Sequence, residues 1–230
     1  DNVRTVMMPS QYTADISLAD ANEMVELLGI KHYQCSIQFL FDQYLSTVEA
    51  DLHISPDPNG SNTMPENLQA RIRGTLLMAL SNQSGSIVLT TGNKSEMAVG
   101  YCTLYGDMAG GFAVLKDVSK TMVYQLCEYR NQISPVIPER IIQRAPSAEL
   151  RANQTDQDTL PPYEILDAII EAYVEKNYSP AEIMALNHNE ADVARVIHLI
   201  HMNEYKRRQS PPGIRITHCD FGTAWHYPIT

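Results

Sequence analysis

Between Thr90 and Gly111 the chain reads TTGNKSEMAVGYCTLYGDMAGG, placing hydroxyls, an amide, an ammonium and a carboxylate just after a short apolar run. That run is a strand by pattern, and in open α/β sheets ligands bind beyond the carboxyl ends of strands. Thr91 offers a hydroxyl to a nucleotide, while amides near Gly92 and at the next helix start favour an anion. Glu96 suits magnesium or a ligand hydroxyl. The same residues also read as a helix start, with Asn93 as cap, Lys94 solvated and Glu96 closing a capping box. Asn67 and Arg71 stand four apart in ENLQARIRG and therefore share a helix face, as joint ligand contact requires and as a solvated polar stripe also shows. Lys206 opens KRRQSPPG, where basic residues serve a ligand or complement a helix C-terminus. His198 and His201 lie at i, i+3 near His188 without a carboxylate in a recognised ligand order, so ordinary surface or interface histidines are expected. Cys102 and Cys127 have no argued histidine partner, which gives a catalytic thiol little support.

These groups need elements to hold them. Val3 to Met8 is an apolar run closed by Pro9 and Ser10, and SLADANEMVELLG follows with helical spacing, Ser17 or Asp20 as caps and Gly29 as the stop. His32 to Ile37 reads as a second strand, so strand, helix and strand form the βαβ unit of a parallel sheet. A further helix is expected over Phe39 to Ala50, turn chemistry at Asp57 to Ser61, and a long helix over Pro65 to Leu80. Ser86 to Thr90 is a strand, 102 to 119 a glycine-containing loop and Lys120 to Arg130 a helix. Arg144 to Pro162 is a long polar connection of the kind that carries function. Helices over Tyr163 to Lys176 and Glu190 to Tyr205 precede the tail. The fold class is α/β with a doubly wound parallel sheet.

The 230 residues are 44% hydrophobic, enough for one full-sized α/β domain. With 17 basic against 27 acidic residues the net charge is -10, which opposes general nucleic-acid binding. Four cysteines stand far apart in no zinc spacing, as in a reduced cytoplasmic protein. No stretch approaches the roughly 18 apolar residues of a membrane span, so no membrane partner is expected. VRTVMM is a buried-strand pattern with no lead-in, so further chain is expected upstream.

The blocks MMPSQYTADISLADA, ENLQARIRG, TTGNKSEMAVGYCTLYGDMAGG, KDVSKT, RAPSAELRANQTDQDTLPPYEILDAIIEAY and KRRQSPPG, taken in order, closely resemble the NAD synthetase family over essentially all of residues 1–230. The wording of Asn153 to Pro162 resembles the glutamine-dependent members, whose glutaminase domain would lie upstream. The resemblance implies a Rossmann-like fold of the adenine-nucleotide α-hydrolase type. It implies ATP contacts at Thr91, Lys120, Ser147 and Met8, and deamido-NAD contacts at Asn67, Arg71, Glu96 and Lys206, with Glu96 also toward magnesium. The short ammonia-dependent members carry a lysine and an aspartate where this chain has Leu104 and Gly111, so those two roles do not transfer.

The implied reaction amidates deamido-NAD. Its carboxylate attacks the ATP α-phosphate, pyrophosphate leaves, and ammonia displaces AMP from the acyl-adenylate. Magnesium and cations such as Lys120 would neutralise charge, without a covalent protein nucleophile. The family's SGGxDS pyrophosphate loop, with the first strand before it, is not in these residues; SGS at Ser84 to Ser86 comes nearest. The isolated 230 residues are therefore expected neither to fold robustly nor to turn over. A homodimer is implied by the family, and the apolar helix at Leu68 to Leu80 suits a dimer face or a core face equally. The alternatives are an ATP pyrophosphatase amidating another substrate and a non-catalytic nucleotide-binding or dimerisation module.

Overall fold

Val6 and Met7, half-buried apolar residues, lie in the first strand, β1 (Arg4–Met7), which pairs in parallel with β2 (Lys31–Gln34) through α1 (Asp15–Leu28). This is the expected βαβ unit. A computed structural model describes residues 2–54, 63–222 and 226–229, and the turn expected at Asp57 to Ser61 lies outside them. The chain divides into two compact units, Asp1–Arg73 with Gln125–Asp158, and Gly74–Tyr124 with Thr159–Thr230.

In the first unit α1 begins earlier than expected. Ala14 is its cap position and makes no side-chain cap bond, so Ser17 and Asp20 lie inside the helix rather than at its start. Both serve packing instead: Ser17 donates to Glu149, and buried Asp20 accepts Arg140 Nε at 2.8 Å. Gly29 ends α1 at φ 63°, a left-handed conformation that favours glycine. Beyond β2 come α2 (Gln38–Leu52) and α3 (Met64–Ser84), whose first ten residues, to Arg73, belong to this unit. Gln69 of α3 is fully buried; its Oε1 accepts Ser10 Oγ at 2.9 Å and its Nε2 donates to the Leu150 carbonyl at 2.8 Å. One amide thus ties the end of β1 to the RAPSAEL loop.

In the second unit β3 (Leu89–Thr90) leads into α4 (Lys94–Val99) and pairs in parallel with β4 (Phe112–Ala113), a strand inside the segment expected to be loop. Next come α5 (Lys120–Ile133), α6 (Glu139–Gln143) and α7 (Tyr163–Ile170); α5 belongs to this unit only as far as Tyr124, and its remainder and α6 fall in the first unit. The helix expected to run to Lys176 changes to a π-turn at Glu171–Glu175, and α8 (Pro180–Met184) follows behind a Ser179 capping box. Helix α9 (Glu190–Met202) breaks at Asn203 before α10 (Glu204–Arg207). Ala98, Leu166, Ile169, Val193, Val196 and Ile200 are fully buried in one apolar cluster. Each large member contributes about 1.5–3 kcal/mol relative to exposure. This core gives α4 and α7 a rigid seat, and no helix among the described residues is long and apolar enough to cross a membrane.

Candidate functional site

Thr91 emerges exposed from β3, and Asn93 caps α4 by accepting the Glu96 amide at 3.0 Å. Glu96 Oε2 returns the bond by accepting the Asn93 amide at 3.1 Å, which closes the capping box. Its other oxygen, Oε1, accepts Lys120 Nζ at 3.1 Å, with both side chains 18% exposed. One oxygen of Glu96 therefore completes the expected capping box, while the other faces the Lys120 ammonium. Lys120 Nζ also lies 5.3 Å from the centre of the Tyr163 ring.

Lys94 overturns its expectation. It is not solvated: it is buried, and its ammonium meets Asp117 at 2.8 Å, Glu175 at 2.9 Å, Thr217 Oγ1 at 2.6 Å and the Cys219 carbonyl at 3.1 Å. The cause is the burial of α4 itself, where Ser95 and Met97–Val99 leave no face for water, so a cation at its first position needs internal anions. Asp117 also accepts the amides of Ile216 and Thr217. Burial would raise its pKa, but the bonds from Lys94, Thr217 and Ile216 hold it below the usual carboxylate range.

At the other end of α4 three side chains meet carbonyls left open by the last turn. Arg207 Nη1 donates to Ala98 at 2.7 Å, Asn203 Nδ2 to Val99 at 3.0 Å and Lys206 Nζ to Gly100 at 2.8 Å. Lys206 donates as well to the Cys102 carbonyl at 2.9 Å. Burial pushes the Cys102 thiol up to about 12, with Lys206 opposing and Asp107 and Glu96 adding to the rise. A thiol so held is protonated near neutrality and a poor nucleophile. Asp107 accepts the Thr103 amide at 2.8 Å. Loss of water around its carboxyl, and then Glu96, raise it to about 6 against the Thr103 bond and the Lys206 charge. Glu96, Asp107 and Lys206 thus share one electrostatic neighbourhood.

A family model described as NAD synthase matches residues 1–210. The chain belongs to the NAD synthase family. It is 52% identical over 231 residues to the glutamine-dependent NAD(+) synthetase of Acinetobacter baylyi, which covers all of this chain and 42% of that protein. The Aquifex aeolicus protein of the same name is 49% identical, with 40% of its length covered. The chain thus spans about two-fifths of the length of these NAD synthase relatives. Among solved structures, the Acinetobacter baumannii glutamine-dependent NAD+ synthetase in complex with ADP is 47% identical with a TM-score of 0.59, covering 99% of this chain and 40% of that one. An NMN synthetase from Francisella tularensis is 25% identical with a TM-score of 0.71, covering 93% and 77%. The likeness to these structures bears out the Rossmann-like α/β fold.

For this NAD synthase family member the expected site residues fall in both units. Met8, Asn67, Arg71 and Ser147 belong to the first, and Thr91, Glu96, Lys120 and Lys206 to the second. The carbonyl of buried Met8 accepts Arg73 Nε at 3.0 Å. Asn67 and exposed Arg71 do lie four apart on α3, with Asn67 Nδ2 donating to Thr63 Oγ1 at 3.1 Å. Ser147 Oγ accepts the Glu149 amide at 3.1 Å inside a loop braced by Arg144 and Glu149, 2.9 Å apart. Of the eight, Glu96 and Lys120 make a direct side-chain pair. Sequence reasoning missed Asp107, which lies in the loop that follows the helix of Glu96, and Asp117, three residues before Lys120.

No group of three or more His, Cys, Asp or Glu side chains among the described residues is arranged to hold a metal ion alone. His201 Nε2 instead meets the Tyr173 hydroxyl at 2.7 Å. Magnesium commonly takes only one or two protein carboxylates and completes its shell with phosphates and water; Glu96 would be the carboxylate to hold it, and both of its oxygens already have protein partners, the Asn93 amide and Lys120.

Proposed function

We propose that this chain carries the synthetase part of a glutamine-dependent NAD synthetase, an ATP-dependent ligase that amidates deamido-NAD. The observation that carries the reading is the Glu96–Lys120 pair at the start of α4, in a member of the NAD synthase family. Thr91, Lys120, Ser147 and the Met8 backbone serve ATP; Asn67, Arg71, Glu96 and Lys206 serve deamido-NAD.

The nicotinate carboxylate and the triphosphate repel each other, so the first step needs positive charge where the α-phosphate is attacked and pyrophosphate departs. Lys120 supplies it from a fixed position, with Glu96 and Tyr163 holding its ammonium and desolvation sharpening its field. Bound magnesium would add Lewis-acid charge at the phosphates. In the second step ammonia attacks the acyl carbon and AMP leaves with the C–O electron pair. No protein nucleophile is required, consistent with the protonated Cys102. Lys206 makes two bonds to the carbonyls of Gly100 and Cys102 just beyond α4, and its positive charge serves the ligand.

In a polypeptide of the relatives' length, glutamine supplies the ammonia from a glutaminase domain. The protein works as a homo-oligomer in the cytoplasm. The test is pyrophosphate release from ATP with deamido-NAD, nicotinate mononucleotide or aspartate as acyl substrate. Release with deamido-NAD supports the reading; release only with another acid substrate replaces it with a related ligase, and no nucleotide binding replaces it with a non-catalytic module.

A further inference from the structure

Lys120 stands at the first position of α5, where a helix leaves its leading amides without intrahelical partners. Those amides are not left to solvent. The Lys120 amide donates to Ser95 Oγ at 2.8 Å, and the Thr121 amide donates to Asp167 Oδ2 at 2.9 Å. Thr121 Oγ1 donates to the same oxygen at 2.7 Å, while Ser95 Oγ donates to Asp167 Oδ1. Asp167 is buried on α7 and Ser95 is fully buried. One carboxylate therefore joins the first turn of α4, through Ser95, to the first turn of α5, through Thr121.

The residues flanking those attachments are Glu96 and Lys120. Tyr163 lies four residues before Asp167 on α7, hence on the same face, and its ring stands 5.3 Å from Lys120 Nζ. One face of α7 thus holds the backbone at Thr121, next to Lys120, through Asp167 and faces the Lys120 ammonium through Tyr163. The circuit closes through the 3.1 Å contact between Lys120 and Glu96. A buried carboxylate used only to fill the core would be a poor choice, since any apolar side chain avoids its desolvation cost. The negative charge is well placed at the α5 N-terminus, whose dipole favours it.

We propose that Asp167 is a positioning residue, acting through the starts of α4 and α5 to set the distance between Glu96 and Lys120. This rests on the reading of Lys120 as the cation of the adenylation step. An asparagine can replace Asp167, with its oxygen accepting from Thr121 and its amide donating to Ser95 Oγ. Alanine offers neither bond.

The test measures kcat and KM for both substrates in the complete polypeptide, for Asp167→Asn, Asp167→Ala, Lys120→Met and the Lys120→Met, Asp167→Ala double variant. Misplacement of a reacting group by an ångström lowers turnover about 100-fold, so Asp167→Ala is expected to lose kcat on that order with KM for deamido-NAD little changed. Asp167→Asn recovers most of it. In the Lys120→Met background Asp167→Ala loses less than about twofold more, because the two act as one unit. Equal fold losses in both backgrounds, or full kcat in Asp167→Ala, would overturn the proposal. If the alanine variant does not fold, Thr121→Val removes one bond to Asp167, with a smaller kcat loss that vanishes in Lys120→Met; the same loss in both backgrounds contradicts positioning. A crystal structure of the folded variant reads positioning without activity: Lys120 leaving Glu96 supports it, and an unchanged 3.1 Å contact refutes it. Wild-type protein inert toward deamido-NAD would instead defeat the functional reading, leaving that structural result standing.

Discussion

Lys120 Nζ and Glu96 Oε1 lie 3.1 Å apart, while the second oxygen of Glu96 caps the helix that carries it. The division of labour allows charge and structure to be separated. Glu96→Gln keeps an acceptor for the Asn93 amide, so the unfolding free energy should change by less than about 0.5 kcal/mol. Turnover should fall about 100- to 1,000-fold, as for loss of one preorganised electrostatic group. Equal loss of stability and activity would show that Glu96 matters only as a cap.

Lys94→Met should destabilise the protein by about 3–5 kcal/mol, because it leaves Asp117 buried without its cation and Glu175 unpaired. Urea unfolding measures this directly. A loss below about 1 kcal/mol would mean that Lys94 is hydrated in solution.

Gly100 ends α4 at φ 70°, and a Cβ there would meet Asn203 Cγ at 2.0 Å. Gly100→Ala combines left-handed strain of about 1–2 kcal/mol with displacement of the side chain that satisfies the Val99 carbonyl. Thermal unfolding should report a loss of at least about 2 kcal/mol, and a neutral substitution would contradict this geometry.

The two loop carboxylates respond to pH in opposite directions. Asp107 has its folded-state pKa raised from 3.8 to about 6, so its contribution is complete below 3.8 and is lost as pH rises through about 6. Asp117 is depressed, so its contribution is present above 3.8 and is lost as pH falls below that value. Asp107 is exposed at the surface although its carboxyl is crowded by neighbouring groups, so solvent screens much of this rise and its direction carries the argument. Asp107→Asn should flatten the stability profile between about 4 and 6 while leaving the acid limb in place. Carboxyl NMR titration that places Asp107 near 3.8 would refute the argument.

The βαβ unit, the long helix and the helix over Lys120 were legible because apolar periodicity and a glycine stop at Gly29 are local signals. Asn93 and Glu96 were legible as a capping box for the same reason. Lys94 was not, since its partners Asp117, Glu175 and Thr217 are up to 123 residues away and burial of a lysine is set by tertiary packing. Asp167 was hidden similarly: within an apolar helix it looks like one solvated position, and only the placement of Ser95 and Thr121 reveals its role. The break at Asn203 also follows from distance, because that side chain turns to the end of α4. Glu96 and Lys120, to which family likeness assigns ligand roles, are brought into contact by the fold, a pairing that their 24-residue separation does not signal.

The most direct measurement is the stoichiometry of the reaction in the complete polypeptide, with ATP, magnesium, deamido-NAD and ammonia supplied. The account predicts NAD, AMP and pyrophosphate in equal amounts, with formation of all three collapsing in Lys120→Met. Release of ADP and phosphate, or pyrophosphate release that does not depend on deamido-NAD, would contradict it.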